Sequence, residues 1–159
     1  ALEGFGGVSG RMETISENPL IIVDFAHTPD GMKEVLQSFN ERDIICVFGA
    51  GGDRDKEKRP LMGSIAASFA KHIIVTSDNP RFEDPDMIIE DILKGIKNHS
   101  SVIVELNRKE AIRKAIEKAD ENSVVLVLGK GDESAQIIGD KKFEFSDKDE
   151  VLKILEARL

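Results

Sequence analysis

The chain has 159 residues, 40% of them hydrophobic and 33% charged, with a formal net charge of -8. That length suits one domain able to bury a core without disulfides, and the acidic balance excludes nucleic acid as the main partner, because no basic stripe exists to release counterions. No stretch reaches membrane-spanning length, the N-terminus carries no secretory pattern, and the lone Cys46 inside IICVF points to a buried thiol in a reducing cytoplasm.

The chain opens on ALEGFGG without an initiator Met, which fits a domain cut from something longer. Met12–Thr14 is expected to pair antiparallel with LIIVDF across Asn18-Pro19. From Leu20 onward short β-branched runs alternate with helical periods. LIIVDF, DIICVFG, HIIVTS, SVIVEL and SVVLVLG are nearly continuous in apolar residues, as strands covered on both faces are. Between them, Met32, Val35, Leu36 and Phe39 follow one helical face, as do Met62, Ile65, Ala66 and Phe69. Ile89, Ile92, Leu93 and Ile96 repeat the pattern, and Ala111, Ile112, Ala115, Ile116 and Ala119 form a stripe small enough for close packing.

Helix starts are marked by Thr28-Pro29, Arg59-Pro60 and Asp84-Pro85, each placing Pro at a first helical position. Asn107 with Glu110 forms a capping-box pattern and Ser146 with Asp149 a weaker one. Gly139-Asp140 between two alternating runs predicts a hairpin before a last helix over Asp149–Leu159. The whole is a single α/β domain over 1–159, a three-layer sandwich around a mostly parallel sheet of about six strands with an antiparallel element.

In such a fold the loops after the strands meet at the carboxyl edge of the sheet, where ligands bind. FGAGGDRDKEKRP, TSDNPRFEDP and LGKGDES would bring Arg54, Arg81 and Glu133 together there. Two guanidinium forks and a carboxylate suit a ligand bearing carboxylates and an ammonium, such as an amino acid or a peptide end. GAGG is neither a dinucleotide fingerprint, because Arg54 stands where the third glycine belongs, nor a Walker loop. On glycine content alone a tight turn explains it equally well. The cations after it shift the balance: Lys56, Lys58 and Arg59 precede or open a helix, the end the macrodipole makes unfavourable for them. A fold is expected to gain nothing from that, so an anionic ligand is the better explanation.

DNPRFEDP reads equally as plain turn chemistry, except that Arg81 is held between Pro80 and the Asp84 cap. GKGDE has the same ambiguity, with Gly129 and Gly131 allowing close backbone approach. Asp24 and His27 end the first core strand, where ligand contact and a structural role weigh evenly. His72 and His99 are assigned no function, and no metal-ligand spacing or nucleophile–base pair is present.

Together SGRME, VDFAHTPD, VFGAGGDRDKEKRPLMG, TSDNPRFEDP and LGKGDE resemble, in order, the C-terminal domain of the Mur ligases, most closely the UDP-N-acetylmuramoyl-tripeptide synthetases. The single motifs are weak; their ordered set is specific. The resemblance implies a Rossmann-like domain of an ATP- and Mg2+-dependent amide ligase of peptidoglycan synthesis in the bacterial cytoplasm. It implies upstream domains, absent from this chain, that bind the UDP-sugar and carry the P-loop and the Mg2+ ligands. The expected reaction activates UDP-MurNAc-L-Ala-D-Glu as an acyl phosphate, which the added amino acid's amine attacks. By position, Arg11, Asp24 and His27 match residues facing ATP. Arg54, Asp78, Asn79, Pro80, Arg81, Gly129 and Glu133 match the pocket for the added amino acid. DNPR resembles the form of members that add meso-diaminopimelate, with L-lysine as the alternative. Asp132 departs from the family's GKGHE, which puts the pocket's charge in question. A non-catalytic amino-acid or nucleotide-binding module is the alternative from another class.

Overall fold

A computed structural model describes residues 9–158. The opening ALEGFGG and the terminal Leu159 lie outside the described residues. The strands are β1 (Glu13–Glu17), β2 (Leu20–Asp24), β3 (Asp43–Phe48), β4 (His72–Val75), β5 (Val102–Val104), β6 (Ser123–Leu128), β7 (Ala135–Ile138) and β8 (Lys141–Glu144). The helices are α1 (Pro29–Ser38), α2 (Lys58–Phe69), α3 (Pro85–Leu93), α4 (Arg108–Lys118) and α5 (Asp147–Ala157).

The main sheet runs β1-β2-β6-β3-β4-β5, parallel except for β1, which pairs antiparallel with β2 across a cis Asn18-Pro19 bond. Successive side chains on a strand face opposite ways, and the core divides accordingly. Ile44, Cys46 and Phe48 of β3 pack with Val124, Leu126 and Leu128 of β6 beneath α1, α2 and α3. Ile45, Val47, Val125 and Val127 pack on the other face against Ala111, Ile112, Ala115 and Ile116 of α4 and Val151 of α5. Every residue of β6 is buried, as its central place between β2 and β3 requires. No helix among the described residues is long and apolar enough to cross a membrane. Burial pushes the Cys46 thiol up to about 12, so it stays protonated and inert.

Several helix ends differ from the sequence expectation. α2 starts at Lys58, two residues before Pro60, with Glu57 as an N-cap that makes no side-chain bond. A proline there costs nothing, because N–H groups in a helix's first turn have no intrahelical acceptor. α3 stops at Leu93, and Ile96 reaches the core from the turn beyond it. α5 begins at Asp147 because Ser146 caps it, its hydroxyl accepting from Asp149 N at 3.2 Å. The Asn107 box is half formed: Asn107 accepts from Glu110 N, but Glu105, not Glu110, accepts from Asn107 N. β7 and β8 make the expected hairpin, a two-stranded sheet separate from the main one.

The chain leaves β5, crosses by α4 and returns to β6 between β2 and β3. The loops after β2, β3, β4 and β6 therefore surround one carboxyl-edge crevice, the usual ligand position in open α/β sheets.

Candidate functional site

Two cavities share that edge. The first, about 420 Å³, is lined by Arg54 and Lys58 from the loop and helix after β3, Asp78, Asn79 and Arg81 from the loop after β4, and Gly129 and Glu133 from the loop after β6. The second, about 430 Å³, lies between Arg11, Asp24, His27 and the start of α1. Phe25 and His27 line both. Arg54, Arg81 and Glu133 thus meet in one place, and Arg11, Asp24 and His27 in another. Pro80 faces away from the first cavity, toward a groove lined by Leu106, Ile138 and Phe145.

The loops after β3 and β4 are locked together by backbone. Gly52 N donates to Asn79 O at 2.8 Å, and Arg81 Nη1 donates to Gly52 O at 3.1 Å. The approach is so close that a Cβ on Gly52 would lie 1.7 Å from Pro80 O, so no other residue fits. Asp53 N in turn donates to Glu83 Oε1 at 3.1 Å, and Phe82 N to Asp53 Oδ2 at 3.3 Å.

The basic cluster after GAGG divides. Arg59 is 1% exposed and donates to Glu83 through both terminal nitrogens (2.6 and 2.8 Å), to Asp91 at 3.0 Å and to Gly51 O at 3.0 Å. Its hydrogen bonds hold the Glu83 carboxyl down at about 2, despite partial burial that opposes ionisation. The fold therefore does gain from a cation at the start of α2, contrary to the sequence expectation. Carboxylates 24 and 32 residues later neutralise it. Lys56 also leans toward Glu83, at 3.7 Å. Arg54 and Lys58, by contrast, are exposed at the cavity and have no hydrogen bond or ion pair among the described residues.

Behind the cavity lining, next to Gly129, Lys130 is fully buried. Its ammonium donates to Asn79 Oδ1 at 2.7 Å and Ala135 O at 2.9 Å, with Glu133 Oε1 at 3.5 Å. Asp78 Oδ1 lies 3.2 Å from it, a charge contact without hydrogen-bond alignment. Asn79 is the hub: it also accepts from Ile137 N at 2.9 Å and donates to Glu133 Oε1 at 3.5 Å. Lys130 so balances the acidic side of the pocket while its amine stays out of reach of a ligand.

Arg108, also fully buried, braces the edge from behind. It donates twice to Asp147 at 2.8 Å, to Ser77 O at 3.0 Å and to Leu128 O at 3.1 Å, fixing the ends of β4 and β6 relative to α5. Burial would lower its pKa, but Asp147 outweighs this and the net shift is upward. Sequence reading passed over Arg108, although it carried the same signal as Arg59, a cation in a helix's first turn.

In the second cavity Asp24 is committed to backbone, accepting from Met12 N at 2.8 Å and Ala26 N at 2.7 Å. It holds the Arg11 loop against β2. Arg11 lies 5.7 Å over the Phe25 ring, which meets His27 edge-on at 4.6 Å. His27 Nδ1 lies 2.9 Å from Phe25 O; a carbonyl only accepts, so Nδ1 donates this hydrogen bond. Asp132 is exposed and does not line the first cavity; its backbone packs on Gly10, where a Cβ would lie 2.3 Å from Asp132 N. The described residues hold no cluster of His, Cys, Asp and Glu that could bind a metal.

A family model described as Mur ligase, glutamate ligase domain, matches residues 10–131. A UDP-N-acetylmuramoyl-L-alanyl-D-glutamate–2,6-diaminopimelate ligase of Helicobacter pylori is 57% identical over 150 residues, 94% of this chain and 34% of the relative. The ligase of the same name from Wolinella succinogenes is 53% identical over 153 residues, 96% of this chain and 35% of the relative. A solved structure of a ligase so named superposes with TM-score 0.83 at 40% identity, covering 87% of this chain and 29% of that one. A Mycobacterium tuberculosis folylpolyglutamate synthase, solved with ADP and AMPPCP, shares the fold alone, at TM-score 0.59 and 20% identity over 76% of this chain and 29% of that chain. The chain spans about a third of the length of the curated relatives it matches.

Proposed function

This chain belongs to the Mur ligase family, as its C-terminal glutamate ligase domain, and we propose that it presents the amino acid in an ATP-dependent ligase that adds meso-diaminopimelate to UDP-MurNAc-L-Ala-D-Glu. The observation that carries this reading is the meeting of Arg54, Arg81 and Glu133, from three separate loops, in one cavity of about 420 Å³. Arg81 and Arg54 take the carboxylates of the amino acid, and Glu133 and Asp78 face its ammonium groups. A guanidinium built to fork a carboxylate rejects an analogue lacking it, since the Arg is then left desolvated and unpaired. That favours meso-diaminopimelate over L-lysine. Asp132, exposed and outside the cavity lining, leaves the pocket's charge unchanged.

The second cavity fits one wall of a nucleotide site: Arg11 has no carboxylate partner among the described residues, and Phe25 and His27 offer ring faces. ATP, when bound, supplies the phosphoryl group that activates the acceptor carboxylate. The Mg2+ that accompanies it is assigned in this reading to the upstream domains. The contribution of this domain is positioning: it holds the attacking amine beside the nucleotide and excludes water when it closes on its upstream partners in the cytoplasm. Phe25 and His27, shared by both cavities, bring the two substrates to a common wall.

The test is a coupled assay on the full-length gene product. It should consume ATP and form the UDP-MurNAc-tripeptide with meso-diaminopimelate at a higher kcat/KM than with L-lysine. A preference for L-lysine would overturn the substrate assignment, and the absence of any amide product would overturn the ligase reading.

A further inference from the structure

The loop that carries Arg81 is not held by the main sheet alone. Arg81 sits at φ 56°, a left-handed conformation that a long side chain rarely adopts. Both of its backbone groups are tied to the β7–β8 hairpin: Arg81 N donates to Ile137 O at 3.0 Å, and Gly139 N donates to Arg81 O at 2.6 Å. Asp78 and Asn79, earlier in the same loop, are tied there too. Gln136 Nε2 donates to Asp78 O at 2.9 Å, and Ile137 N to Asn79 Oδ1 at 2.9 Å. A single parallel bridge joins Arg81 to Ile138 at the edge of the hairpin. The hairpin lies beyond residue 131, where the family match ends.

We propose that the β7–β8 hairpin is the selectivity element of the amino-acid pocket, pinning Arg81 in its left-handed conformation and so aiming the guanidinium that distinguishes an amino acid with a second carboxylate from one lacking it. Released from these bonds, Arg81 would relax to negative φ, and the side chain would swing away from its contact with Gly52 O. Gln136 and Ile137 are then positioning residues that act through Asp78, Asn79 and Arg81. An isolated two-stranded hairpin is marginal in water, so hairpin and loop order one another. Ligand capture by Arg81 should therefore tighten the hairpin as well. This inference rests on the amino-acid reading of the cavity.

Steady-state kinetics of the full-length gene product, with meso-diaminopimelate and L-lysine as probes, test it. Ile137→Pro removes the donor to Asn79 and should raise the KM for meso-diaminopimelate about tenfold. The KM for ATP should stay within about twofold, and the preference over L-lysine should fall toward that of Arg81→Ala. Gln136→Met, which deletes one side-chain bond, should raise the same KM about threefold, and it carries the test if the proline variant does not fold. Lys142→Ala, on exposed β8, should change neither constant. Amide hydrogen exchange in 135–144 should slow on adding meso-diaminopimelate, which a purely structural hairpin would not do. If Arg81→Ala raises the KM but neither hairpin variant does, the hairpin inference is overturned and the pocket reading stands. If Arg81→Ala itself changes nothing, the pocket reading falls and takes the inference with it.

Discussion

Arg54 and Arg59 lie within the same basic run, in the same loop-to-helix junction, and do opposite things. Arg59 turns inward, is 1% exposed and spends its terminal nitrogens on Glu83, Asp91 and Gly51 O. Arg54 stands exposed at the cavity with no partner among the described residues. The difference separates two uses of a cation in one fold. A buried Arg paired with carboxylates fixes loops in place, and removing it leaves those partly buried carboxylates uncompensated. An unpaired Arg at a cavity mouth contributes little to folding and keeps its hydrogen-bond donors for a ligand. Arg108 belongs with Arg59, and Arg11 with Arg54.

The largest effect that would sharpen this contrast is expected at Arg108. Arg108→Met strands Asp147 at 0% exposure and should cost about 3–5 kcal/mol of stability. Urea unfolding of the chain, read against wild type by linear extrapolation, measures it. A loss under about 1 kcal/mol would remove the brace from the account.

Arg54→Ala should show the reverse profile. Its unfolding free energy should stay within about 0.5 kcal/mol of wild type, while the amino-acid KM of the full-length protein rises about tenfold or more, as the loss of one or two charged hydrogen bonds implies. The KM for ATP should move much less. Unchanged amino-acid kinetics would place Arg54 in the fold or at the nucleotide and break the comparison.

A smaller effect is expected from acid. The folded-state pKa of Glu83 is depressed to about 2 from an ordinary 4.5, chiefly by hydrogen bonds from Arg59. A depressed carboxylate contributes stability that is fully present above the unfolded pKa and is lost as pH falls through the folded one. The chain should therefore lose part of its stability between about pH 4.5 and about pH 2, and Glu83→Gln should flatten that limb while lowering stability at neutral pH. Melting temperature followed against pH distinguishes the two, and identical acid limbs would show that the Arg59–Glu83 pair is not retained in solution.

The smallest effect should come from Asp132→His, which restores the residue of the family pattern. Asp132 is exposed and outside the cavity lining, so both the stability and the preference for meso-diaminopimelate over L-lysine should stay within about twofold of wild type. A shift in that preference would bring position 132 into the pocket.

The alternation of β-branched runs with helical periods was enough to determine the layers, the parallel sheet, the antiparallel first strand and the terminal hairpin. The layers and the parallel sheet follow from which side chains must leave water, a property each segment carries in itself, and the exposed hairpin follows from the Gly139-Asp140 turn. Hydrophobic pattern placed the loops after β3, β4 and β6 at one edge, and Arg54, Arg81 and Glu133 meet there as expected, while Pro80 turns away. Only the tertiary structure decided which charges are available. Arg59 finds Glu83 24 residues away, Arg108 finds Asp147 39 residues away, and Lys130 finds Asn79 51 residues away. Local sequence marks a cation at a helix start as misplaced, but it cannot say whether a carboxylate on a distant segment or a ligand will answer it. That choice depends on the path of the chain, because Coulomb and hydrogen-bond energies act over a few ångströms of space and take no account of separation along the sequence.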